Sequence, residues 1–123
     1  MAKFLYVQTR GRENPERCFT VFFLATTARS MDHEAAIAFT QTGLSIFEEG
    51  FARQVNALDQ SGKTLADFID MAVARGVQLL GCRLSLPMVR LDPLEDGPWP
   101  LEWIGAADLH EEILAADRVV YLS

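Results

Sequence analysis

The sequence predicts a three-layer α/β/α domain with a mostly parallel sheet, spanning residues 1–123 as one domain. Three observations carry that prediction. Short apolar runs of strand character recur at residues 4–8, 35–39, 77–82 and 118–122. Stretches of helical character lie between them. Half of the 123 residues are hydrophobic and 23% are charged, so the chain can bury a sizeable core without disulfides or metal. Strands alternating with helices imply parallel pairing through right-handed crossovers.

In chain order, residues 4–8 are apolar, aromatic and β-branched, as a first strand should be. Pro15 suits a first helical turn with Asn14 as its cap, and the spacing predicts a helix from there to Ser30. Its apolar residues cover nearly the whole circumference, so burial against the sheet and against something else, such as a second subunit, is expected. Residues 35–39 form a second strand and 40–43 a loop, while 44–47 fit an extended piece or a helical turn. A short helix falls within 51–58. Leu65, Phe68, Ile69, Ala72 and Val73 recur at i, i+3, i+4, i+7 and i+8, the clearest helix of the chain. Thr64 and Asp67 have the spacing of a capping pair, and Gly76 stands where a left-handed residue ends a helix. A buried strand over 77–82 follows. Residues 92–100 hold three prolines and read as an irregular loop, with Trp99 and Trp103 in or beside it as a cover for a site or an interface. A last helix over 108–116 and a strand over 118–122 close the chain.

Composition narrows the function. The formal net charge of −6 argues against a nucleic-acid partner. No stretch approaches the ~20 apolar residues of a membrane span. The longest apolar cluster, residues 19–25, lies between Arg17 and Arg29. The amino terminus lacks the basic-then-apolar design of a signal peptide. A cytoplasmic protein is expected, whose two cysteines are thiols rather than a structural bridge.

Cys82 is the strongest chemical signal, since it stands where a buried strand gives way to a stretch able to start a helix. Backbone N–H groups there would stabilise a thiolate, and Arg83 could add to this. A small hydrophobe packed at a strand end fits the same pattern. Cys18 lies on the edge that would let it resolve Cys82, yet it shares a helix face with Phe22 and Ala25, as core packing would also require. A redox pair would need the two Cα atoms within about 7 Å. His33 and His110 have no partner at metal-ligand spacing, and neither a metal nor a cofactor is expected. No glycine-rich phosphate loop is present. Ser45 and Ser85 lack a nucleophile-elbow context, and Ser85 with Met88 would support the loop around Cys82. Asp92, Glu95, Asp96 and Glu102 read as a solvated acidic loop.

The apolar strand ending at Cys82, with Ser85 and Met88 shortly after, resembles the DsrE/DsrF-like proteins, which include sulfur-relay subunits related to TusD. The small-residue turn at 104–109 and the Ala116-Asp117-Arg118-Val119 closing segment are similar to the same family, as is the opening strand, helix and strand. The resemblance implies a compact three-layer domain, assembled as a homotrimer or homohexamer. It also implies that Cys82 accepts sulfane sulfur as a persulfide and passes it to a partner protein, TusA-like or rhodanese-like. The loop at 91–103, richer in proline and tryptophan than the family pattern, would then shield or present the thiol. Two other functions fit the residues: a small-molecule-binding or regulatory subunit using the same edge as a pocket, and a redox protein cycling between Cys82 and Cys18.

Overall fold

The computed structural model describes residues 1–95 and 97–123. Asp96 of the acidic loop lies outside the described residues. Five strands form one sheet: β1 (Lys3–Gln8), β2 (Glu34–Phe39), β3 (Gln78–Cys82), β4 (Leu101–Ile104) and β5 (Arg118–Leu122). Their order is β4-β3-β2-β1-β5 and every pairing is parallel. Among the described residues, four α-helices accompany them: α1 (Thr20–Ser30), α2 (Phe51–Gln54), α3 (Leu65–Ala74) and α4 (Ala106–Ala115). The chain steps from β1 to β4 in one direction. The last connection then runs back across the sheet and sets β5 beside β1.

Side chains alternate between the two faces of a strand, and the two faces are covered unequally. Tyr6, Ile37, Phe39 and Leu79 pack with Phe22 and Ala25 of α1 and with Leu65 and Ile69 of α3. On the other face Leu5, Val7, Ala36, Ala38, Leu80 and Ile104 form a second cluster, met from the helix side by Leu109 and Ala116. The cover there is α4, none of whose own residues is buried. No helix among the described residues is long and apolar enough to cross a membrane.

The α3 boundaries follow the sequence signals. Asp67 accepts the Thr64 N–H at 2.8 Å, and Gly76 turns the chain at φ +86° straight into β3. Elsewhere the structure departs from the sequence reading. The helix expected from Pro15 is a 3-10 turn, Pro15–Arg17, that breaks at Cys18 before α1 starts at Thr20; the Asn14 side chain caps nothing. Residues 41–47 form a 3-10 segment, Gln41–Phe47, buried from Gly43 onward as Leu44 and Ile46 turn into the core. The second neighbour of α1 is α3, through the edge-on pair Phe19–Phe68 at 5.3 Å, while Phe23 remains 61% exposed. Strand β4, which the sequence reading does not contain, runs from the end of the loop at 91–103 into the turn that begins at Ile104.

Candidate functional site

Adjacent strands whose connections leave on opposite faces create a crevice at their carboxyl ends, the usual place for ligands in parallel sheets. In this sheet β3 and β4 meet that condition. The crossover after β3 packs Leu86, Val89, Leu91 and Trp99 against the α1–α3 side. The chain after β4 enters α4 on the other side.

Cys82 closes β3 at that crevice and pairs with Ile104, the last residue of β4. Its backbone is extended, so alternation sends its side chain to the α4 side, with Leu80 and Ile104, and leaves Gly81 facing α1 and α3. The thiol is free and the residue is 5% exposed. Helix α4 starts at Ala106, immediately after Gly105, so its amino end lies on the same side of the sheet as Cys82. A helix amino end favours neighbouring negative charge.

The stretch after Cys82 corrects one expectation. Arg83–Met88 is a six-residue 3-10 turn containing Pro87, not the start of an α-helix, because proline denies a backbone donor. Helix amides at Arg83 to Ser85 therefore do not form; the α4 amino end lies on the same side of the sheet, where the Asp108 carboxylate accepts the Gly105 N–H at 2.8 Å. Ser85 does support the turn: it is buried, and its Oγ accepts the Gln41 N–H at 2.6 Å. Gln41 itself sits at φ +51°, a left-handed conformation uncommon for a side chain of this kind. Nothing in its residue type signals this role, which depends on a contact between two distant turns. Met88 does not help to hold the turn, being 53% exposed; Arg83 and Leu84 are exposed beside it.

Cys18 is placed differently. It has no exposed surface, belongs to the α1–α3 core, and its thiol donates toward the carbonyls of Gly11 and Asn14 at 3.3 and 3.5 Å. Burial, followed by the Glu13 and Glu16 carboxylates, pushes this thiol up to about 12. The sheet separates it from the face that carries Cys82, and it follows β1, two strands away. A bridge between the two, which a redox pair requires, does not suit this arrangement.

The tryptophans also move. Trp103 is a β4 residue opposite Gly81, and a Cβ on Gly81 would stand 2.9 Å from its ring. Gly81 is a glycine because the indole occupies its side-chain space. Trp99 donates its Nε1–H to Asp70 of α3 at 2.7 Å and meets Phe47 at 6.0 Å. Both rings are thus on the α1–α3 side, with the sheet between them and the Cys82 side chain; they do not form a lid over the thiol. Ser45 is a structural group, accepting the Arg12 N–H and donating to the Thr42 carbonyl. His33 Nδ1 accepts the Ala2 N–H at 2.9 Å, and His110 is exposed. Asp92, Glu95 and Glu102 are exposed, with Glu102 accepting from Gln78.

These features define a parallel α/β domain with one free thiol at its topological switch point. The profile of the DsrE/DsrF-like family matches residues 2–122, and the chain belongs to that family. Its fold is similar to the crystal structure of the ychN protein from E. coli, with a TM-score of 0.74 and 19% identity over 98% of this chain and 99% of that one. Comparison with curated proteins returned no sequence match.

Proposed function

We propose that this protein is a cytoplasmic sulfur carrier of the sulfurtransferase type, in which Cys82 accepts sulfane sulfur as a persulfide and passes it to a partner protein. The observation that carries the proposal is the free Cys82 thiol at the carboxyl end of β3, at the switch point beside the amino end of α4. Membership of the DsrE/DsrF-like family supports it. In the loading step the Cys82 thiolate attacks the terminal sulfur of a polysulfide. A new S–S bond forms at Cys82, the donor's S–S bond breaks, and the shortened polysulfide leaves with the bonding electron pair. Delivery reverses the logic, with an acceptor thiolate attacking the outer sulfur and Cys82 leaving as thiolate. Arg83, Leu84 and Met88, exposed in the turn that follows Cys82, would meet the acceptor, a TusA-like or rhodanese-like protein. A homotrimer or homohexamer is proposed as the working assembly.

Intact mass after incubation with polysulfide tests the reading. The wild type and Cys18→Ser should each gain about 32 Da per sulfur, and Cys82→Ser should gain nothing. Loading that survives in Cys82→Ser would overturn the proposal.

A further inference from the structure

Among the described residues, the crossover from β3 to β4 carries no α-helix. Pro93, Pro98 and Pro100 of this crossover line a cavity of about 560 Å³, within the size range of small-molecule sites. This cavity is on the α1–α3 side and so is separate from the Cys82 crevice. Its aromatic walls are Phe47, Trp99 and Trp103. They are held from behind: Trp103 by its seat on Gly81, Trp99 by the hydrogen bond to Asp70, and Phe47 by an edge-on contact with Phe39 at 4.6 Å. Among the described residues, the charged groups that line it are Asp92 and Glu95, and no lysine, arginine or histidine does so.

Anchored aromatic side chains and two carboxylates in one lining make a poor site for an anion and a good one for a cation with an apolar body. The ring chemistry is already in use within the molecule, where the Arg53 guanidinium lies 5.7 Å from the Trp99 ring centre without lining the cavity. We propose that the cavity binds a small organic cation, of the alkylammonium class, between the Phe47, Trp99 and Trp103 rings, with Asp92 and Glu95 selecting its charge. This is independent of the sulfur chemistry and holds for a protein lacking Cys82.

The chain has two tryptophans and both line the cavity, so intrinsic fluorescence reports on this site. Choline and its neutral carbon isostere, 3,3-dimethylbutan-1-ol, separate charge from shape. Choline should change the fluorescence saturably at millimolar concentration, and the isostere should bind about ten-fold more weakly. Asp92→Asn combined with Glu95→Gln alters two exposed side chains and keeps the Asp92 acceptor for the Leu94 N–H. That variant should lose most of the discrimination. No saturable change with choline overturns the proposal, as does equal binding of the isostere or discrimination that persists in the double variant.

Discussion

Cys18 and Cys82 are the same residue on opposite sides of one sheet, and their surroundings differ. Cys18 is sealed in the larger core, its proton directed at main-chain carbonyls and its acidity suppressed by burial and two carboxylates. Cys82 ends a strand at the crevice between β3 and β4, with a helix amino end on its side and no acidic neighbour in the turn that follows. Low exposure alone, 0% against 5%, would not have separated them. What separates them is the face of the sheet and the groups that share it.

The largest expected effect is on reactivity. With N-ethylmaleimide at pH 8, peptide mass spectrometry should find Cys82 modified at least about 100-fold faster than Cys18, which can react only when the core opens. Comparable rates would erase the contrast. Next comes the support of the Cys82 region. Gly81→Val forces a branched side chain into the Trp103 ring and should cost about 2 kcal/mol in denaturant unfolding, while leaving Cys18 protected from labelling in the folded state. The third test concerns Cys18. Its removal in Cys18→Ala should cost about 1.5 kcal/mol at neutral pH. The folded thiol pKa is raised from 9.0 to about 12, so the unfolded chain loses this proton first and the wild type loses stability as pH climbs through that window. Alkaline unfolding of Cys18→Ala should lack that component, and identical pH profiles would break the assignment. The smallest effect is at Ser85→Ala. It strands the Gln41 N–H and should cost about 1 kcal/mol by the same unfolding measurement.

Much of the frame was legible in the sequence because its signals are local. Thr64, Asp67 and Gly76 mark the ends of α3 by short-range hydrogen bonding and backbone freedom. The apolar runs of β1, β2 and β3 stand out because both of their faces are covered. Strand β4 was not legible for the converse reason. It is four residues long at the sheet edge, only Ile104 is buried, and Pro100 precedes it. The position of Cys82 at a carboxyl end was readable from its strand, but its side of the sheet was not, because that depends on register with β4. The same gap misplaced Trp99 and Trp103: residue type gives an aromatic no direction until Asp70 and Gly81 are seen beside it. The helix after Cys82 was stopped by Pro87, a local signal that the sequence does show, while the Asn14 side chain turns to Glu16 rather than to a helix N–H.

The seat of Trp103 on Gly81 has a consequence for how this sequence can change over time. The two positions share one volume, so neither is free to vary alone. A larger residue at 81 is admissible only with a small one at 103, and a small residue at 103 without that exchange would leave a hole beside the strand that carries Cys82. Across divergent relatives that keep this strand pairing, the two positions should trade bulk as a pair, with the sum of their side-chain volumes holding steadier than either one.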